Sequence, residues 1–151
     1  ANVKVKVIGD ISPFPKIIRK YIVNLESLTS KNSGMHLNLA MNYGGRAEII
    51  NATKKISELV LERKINIEQI DEKIVEQNLY TKEQADPDLI IRTAGETRLS
   101  NFLLWQSAYS ELYFTHKTWP DFTASDFISA LDFYKSRTRK FGAVKRKKNS
   151  S

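Results

Sequence analysis

The first eight residues impose the strongest constraint on the fold. Val3, Val5, Val7 and Ile8 alternate with lysines as a half-buried strand requires, and Gly9-Asp10 ends the run. From Ser12-Pro13 the repeat changes to a helical one: Phe14, Ile17, Ile18, Tyr21, Ile22, Leu25 and Leu28 fall on one face until Asn32 to Gly34 stop it. The same switch then recurs. Leu37, Leu39 and Met41 read as a second strand, followed by the turn Asn42-Tyr43-Gly44-Gly45-Arg46 and a helix bearing Ile49, Ile56, Leu59 and Val60. A short helix around Ile70 and Ile74 leads through Asp86-Pro87 to a strand at Leu89 to Ile91. A helix is expected from about Ser100, then a strand at Leu112 to Phe114. The last helix is announced by a capping box, Thr123 to Asp126, with Phe127, Leu131 and Tyr134 on its inner face. Strands alternating with helices predict an α/β fold with a largely parallel sheet covered by helices on both faces. Ligands of such sheets sit beyond the carboxyl ends of the strands, where the loops NYGG and TAGETR fall.

Composition narrows the class. At 151 residues, 41% hydrophobic and 27% charged, the chain reads as one soluble domain, and no apolar run approaches the roughly 18 residues of a membrane-spanning helix. The absence of cysteine excludes disulfides and thiolate zinc sites and suits a reducing, cytoplasmic setting. His36 and His116 are isolated and read as structural. The net charge of +7 is concentrated at the end: residues 135–151 hold eight basic and no acidic side chains, leaving 16 basic against 17 acidic elsewhere. That near-neutral body argues against nucleic-acid binding. The basic tail, residues 143–151, reads as solvated and disordered, with peripheral contact to anionic lipid or RNA as the other reading. The methionines are internal, at Met35 and Met41, and the chain opens on Ala1-Asn2, so it reads as a processed chain or a piece of a longer one.

Neither GxxxxGK[ST] nor GxGxxG occurs. Gly44-Gly45 is open to two readings, a turn needing positive φ or a phosphate cradle. The stretch IIRTAGETRLSNFLLWQ, from Ile90 to Gln106, is more informative. Arg92 at a strand end and Arg98 six residues on can converge on one anion with paired N–H donors. A helix start at Ser100 would add a hydroxyl, backbone N–H groups and the positive end of a dipole, a combination suited to a diphosphate. Equally, Glu96 could pair with one arginine while Ser100 caps the helix. Glu111, before an apolar strand, is a candidate oxygen ligand for Mg²⁺. Phe102 to Trp105 reads as core.

The blocks LNLAMNYGGRAEII, DPDLIIRTAGETRLSNFLLWQSAYSELYF and WPDF resemble the signature regions of the cis-prenyltransferases, the undecaprenyl diphosphate synthase family, from Val3 to about Gly142. The resemblance implies condensation of isopentenyl diphosphate onto an allylic diphosphate of the farnesyl type, forming cis double bonds and a long-chain polyprenyl diphosphate. It places Arg92, Arg98, Leu99 and Ser100 at the diphosphate of isopentenyl diphosphate, with Glu96 in support and Glu111 at Mg²⁺. It implies a homodimer in which an Arg-x-Gly element near the carboxyl end reaches the partner's site. Here that element reads Arg139-Lys140-Phe141-Gly142, and lysine at the arginine position keeps the charge without the bidentate fork.

The family's Asp-Gly-Asn-Gly-Arg-Trp segment, which binds the allylic diphosphate and metal, does not occur in these residues. Asp10 is the nearest aspartate by position, in an unlike context. Residues 1–142 therefore read as the carboxyl-terminal part of such a domain, expected to be inactive alone. A non-catalytic subunit that dimerises with a catalytic homologue is the alternative. Retention of Arg92, Glu96, Arg98 and Ser100 favours the enzyme.

Overall fold

The computed structural model describes residues 2–137; the expected tail and the Arg139, Lys140 and Gly142 element lie outside them. Its elements run β1 (Val3–Ile8), α1 (Lys16–Thr29), β2 (Met35–Ala40), α2 (Gly45–Leu61), a 3₁₀ turn at Ile67–Gln69, α3 (Glu72–Glu76), β3 (Leu89–Arg92), β4 (Glu111–Phe114), a 3₁₀ turn at Trp119–Asp121 and α4 (Ala124–Ser136). They form two compact units: residues 2–85 with Ser100–Trp105, and Asp86–Leu99 with residues 106–137. The α/β class and its parallel strands match the expectation, and the strands form two two-stranded ladders, β1–β2 and β3–β4.

In the first unit β1 and β2 pair in parallel from Val3↔Met35 to Ile8↔Ala40. Met41 falls just past the strand, where its N–H donates to the Ile8 carbonyl at 2.9 Å. That bond turns Ile8 toward β2, so the alternate residues Val3, Val5 and Val7 present their backbone groups to the other edge. Side chains on or beside α1 satisfy that edge: Val5 N–H donates to Thr29 Oγ1 at 3.1 Å, Val7 N–H to Glu26 Oε1 at 2.8 Å, and Asn32 Nδ2 to the Val3 carbonyl at 2.6 Å. Polar side chains thus blunt an edge strand that would otherwise offer a row of open donors and acceptors.

Helix α1 begins at Lys16 rather than at Ser12-Pro13, after Pro15 in an extended conformation. The cause is Pro15 itself, which disfavours helical backbone at the residue before it, so Phe14 cannot belong to the first turn. Its apolar stripe is also less covered than expected: Ile22 is buried, while Tyr21 and Leu28 remain 62% and 82% exposed. On β2, Met35, Leu37 and Leu39 are likewise exposed. They share one face of the ladder with Val3, Val5 and Val7, and the opposite face carries Lys4, Lys6, His36 and Asn38. The buried centre of this unit is small: Ile8, Ile22, Ala52, Ile56 and Leu79.

In the second unit β3 and β4 pair in parallel from Leu89↔Glu111 to Arg92↔Phe114. Helix α4 packs on β4 through Ala130, which is fully buried, and through the Tyr113 and Phe133 rings, 5.4 Å apart. Phe127, expected on the inner face, is instead exposed. The capping box is present in both directions. Lys117 joins it, its ammonium 2.8 Å from the Asp126 carboxylate.

The hydrogen bond from Lys117 comes first, then those from Thr123, in lowering the Asp126 carboxyl to about 2 from an ordinary 3.8. A depressed carboxyl adds stability that is present above pH 3.8 and is lost as pH falls through about 2. Unfolding midpoints measured between pH 5 and pH 2 should therefore fall more steeply for the native chain than for Asp126→Asn. Parallel curves would show that the cap carries no pH-dependent stability. Among the described residues no helix is long and apolar enough to cross a membrane.

Candidate diphosphate-binding site

Strand β3 ends at Arg92, and the chain then turns tightly. Ala94 N–H donates to the Lys117 carbonyl at 2.7 Å and Gly95 N–H to the Thr115 carbonyl at 2.9 Å. Both residues have positive φ, 65° and 71°. These two loop amides are used within the fold and are not open to a ligand. Arg92 is half-buried at the strand end and has no carboxylate partner among the described residues. Arg98 is 67% exposed at its side chain and pairs with Glu96 through Nη1. The pairing foreseen for Glu96 is thus present. A guanidinium has five N–H donors, so one engaged edge fixes the group while leaving donors for an anion.

Ser100 is placed differently from the expectation. No helix starts there: Ser100–Trp105 belongs to the first unit and is a series of turns. Ser100, Asn101 and Leu103 have φ of 48°, 66° and 44°, left-handed backbone that a right-handed helix cannot contain. Leu99 remains with Arg98 in the second unit.

Asn101 instead occupies the amino terminus of α2. Gly45 N–H donates to the Asn101 backbone carbonyl at 2.7 Å, and Arg46 N–H to Asn101 Oδ1 at 2.8 Å. Helix α2 has no side-chain cap of its own, and this remote asparagine supplies one. The positive-φ turn reading of Gly44-Gly45 does not fit, and Asn101 engages the Gly45 and Arg46 amides. Gly44 has extended φ, −155°, and Gly45 opens the helix; the positive φ of this turn falls on Asn42, at 46°. The glycines allow close approach instead, since a Cβ on Gly44 would sit 2.7 Å from Asn101 Nδ2 and one on Gly45 2.8 Å from Leu104 Cγ. Phe102, partly exposed, meets the edge of Tyr43 at 5.8 Å.

The sequence reading missed Glu48. It is 2% exposed within α2, where its Oε2 accepts from the Tyr43 hydroxyl and its Oε1 from Tyr80 N–H at 2.7 Å. Burial first, and then the Glu48 carboxylate, hold the Tyr43 hydroxyl well above its ordinary value. The one signal in the sequence was an acidic residue in a first helical turn, which reads as a dipole partner at the surface.

Glu111 opens β4 opposite Leu89, whereas Arg92 ends β3 opposite Phe114. The ladder therefore separates Glu111 from Arg92 by roughly 10 Å along the strands and places them on opposite faces. The Glu111 carboxylate accepts from Arg137 Nε at 3.1 Å. Among the described residues no three acidic or histidine side chains gather to hold a metal. Glu111 offers oxygen ligands for Mg²⁺, which commonly binds through one or two carboxylates and substrate phosphates, but these residues do not compose a metal site alone. Asp10 belongs to the first unit, where its Oδ1 accepts from Ser12 N–H at 2.9 Å.

The loop bearing Arg92 and Arg98 leaves the carboxyl end of a parallel strand, the place where ligands of such sheets sit. Residues 1–142 match the prenyltransferase family model for undecaprenyl diphosphate synthase, and the chain belongs to that family. It is 50% identical over 141 residues to a tritrans,polycis-undecaprenyl-diphosphate synthase (geranylgeranyl-diphosphate specific) of Picrophilus torridus, covering 93% of this chain and 55% of the relative. To a ditrans,polycis-undecaprenyl-diphosphate synthase ((2E,6E)-farnesyl-diphosphate specific) of Buchnera aphidicola it is 49% identical over 143 residues, 95% of this chain and 57% of the relative. Its structure is similar to that of lavandulyl diphosphate synthase from Lavandula x intermedia in complex with dimethylallyl diphosphate. The TM-score is 0.90 at 43% identity, over 93% of this chain and 61% of that one. The chain thus spans about half the length of the curated relatives it matches.

Proposed function

We propose that this chain supplies the isopentenyl-diphosphate half of a cis-prenyltransferase that adds isopentenyl units to an allylic diphosphate and builds a long-chain polyprenyl diphosphate. The observation that carries the reading is the exposed Arg98 guanidinium, fixed by Glu96 on the loop that leaves β3 after Arg92. In this reading Arg92 and Arg98 hold the diphosphate, and Leu99-Ser100 contributes a hydroxyl. The arginines hold the acceptor still and balance its charge, so their contribution is positioning and electrostatics. Glu111 would supply an oxygen ligand to Mg²⁺, and the metal, when bound, would supply positive charge against a diphosphate. The exposed apolar face bearing Met35, Leu37 and Leu39 is suited to a growing hydrocarbon chain.

Relatives of nearly equal identity carry names specifying geranylgeranyl and farnesyl diphosphate, so overall similarity does not select the allylic primer; a farnesyl-type primer is the one proposed. A cytoplasmic homodimer is part of the same proposal. The engagement of Glu111 by Arg137 favours a second reading, a non-catalytic subunit of such an enzyme.

The test is calorimetric titration with isopentenyl diphosphate, paired with incubation with farnesyl diphosphate, radiolabelled isopentenyl diphosphate and Mg²⁺. Binding without extractable long-chain product is expected of these residues alone. Lack of binding in a folded sample would overturn the acceptor-site assignment. Sustained turnover would overturn the expectation of an incomplete active site.

A further inference from the structure

The face of the β1–β2 ladder opposite the apolar one is unusual for parallel strands, which are commonly apolar on both faces because both are covered. Here successive register pairs are Lys4↔His36 and Lys6↔Asn38. A cavity of about 290 Å³ opens over them, lined by Lys4, Lys6, His36, Asn38, Lys82, Glu83 and Gln84. Its lining carries three ammonium groups against one carboxylate.

The floor is held in place. Lys6 Nζ donates to the Tyr80 carbonyl at 2.6 Å. The side-chain amides of Asn38 and Gln84 bond reciprocally, Asn38 Nδ2 to Gln84 Oε1 at 2.6 Å and Gln84 Nε2 to Asn38 Oδ1 at 3.3 Å. A second cavity of about 380 Å³ shares Lys6 and Lys82 and adds Lys55, so positive charge continues along this side of the unit. Burial first, and then the charge of Lys82, lower the Lys6 ammonium from its ordinary value. Like charges held this close favour a counter-anion between them.

We infer that the cavity over Lys4, Lys6, His36 and Lys82 is a binding site for a phosphate-bearing anion, built from residues other than those of the Arg92 and Arg98 loop. It can be filled by free diphosphate or by the phosphate of a membrane lipid headgroup, since both present clustered oxygens to ammonium groups. The experiment uses the whole chain carrying Arg98→Ala, which weakens the acceptor site, and follows the imidazole NMR signals of His36 and His116. Inorganic diphosphate should shift His36, which lines the cavity, and leave His116 in place.

Lys4 and Lys82 are exposed, so Lys4→Gln with Lys82→Gln should fold normally. In that chain the anion should bind about three- to tenfold more weakly, within the range of exposed charge pairs. Raising the salt should weaken binding to the native cavity as well. In the other arm, sedimentation with phosphatidylcholine vesicles containing phosphatidylglycerol, but not with phosphatidylcholine alone, and its loss in the double variant, would support the cavity with a headgroup as its source. No His36 shift and no vesicle binding would overturn the inference. Binding that the double variant leaves unchanged would overturn it too, as an adventitious ion only.

Discussion

Glu48→Leu is expected to destabilise the first unit by about 2 to 4 kcal/mol, because hydrogen bonds to a charged group are each worth roughly 1.5 to 3 kcal/mol and their buried donors would lose the acceptor. The two donors are the Tyr43 hydroxyl and Tyr80 N–H. Glu48→Gln should cost about half as much, since the amide oxygen still accepts from Tyr80 N–H while its NH₂ can donate to the Tyr43 oxygen. Tyr43→Phe removes one bond and should cost about 1 kcal/mol. The pH dependence separates this network from simple packing. A tyrosine whose folded value is raised contributes stability that is complete below its ordinary value, 10.0, and is lost as pH rises above it. Urea midpoints measured from pH 9 to 11 should fall for the native chain and flatten in Tyr43→Phe. Equal slopes would remove Tyr43 from the network. A Glu48→Leu chain as stable as the native one would show that the carboxylate is dispensable.

That network was not legible in the sequence, and the reason is physical. A glutamate near the start of an amphipathic helix ordinarily faces water, and only the return of Tyr80 in the folded unit makes Glu48 an acceptor for a distant backbone amide. Ser100 to Trp105 failed similarly, because its composition permits a helix. The left-handed backbone at Ser100 and Asn101 goes with the bonds by which Asn101 caps α2. What was legible rested on short-range rules. Alternation at Val3 to Ile8 gave a strand, Thr123 and Asp126 gave a cap, and Glu96 paired with Arg98 across two residues. The register of β3 on β4, which separates Glu111 from Arg92, is long-range and leaves no local mark.

Replacing Arg98 with alanine is expected to weaken isopentenyl diphosphate binding by at least tenfold, about 1.5 kcal/mol, the lower end of the range for a charge-assisted hydrogen bond because the side chain is well solvated. Arg98→Lys should fall between native and alanine, since it keeps the charge and loses the fork. Glu96→Gln distinguishes two roles for the carboxylate that holds Arg98. If Glu96 mainly subtracts charge, its removal should tighten binding, most visibly at low salt, where screening is weakest. If it mainly orients the guanidinium, its removal should loosen binding, and in an Arg98→Ala background the same change should then have no further effect. The orienting role is the expected one, because a long exposed side chain loses rotamer freedom on binding and a fixed one loses less. Titrations of the native, Glu96→Gln, Arg98→Ala and doubly substituted chains at two ionic strengths, with folding checked by circular dichroism, decide it. Native affinity in a folded Arg98→Ala chain would remove this loop from the acceptor site.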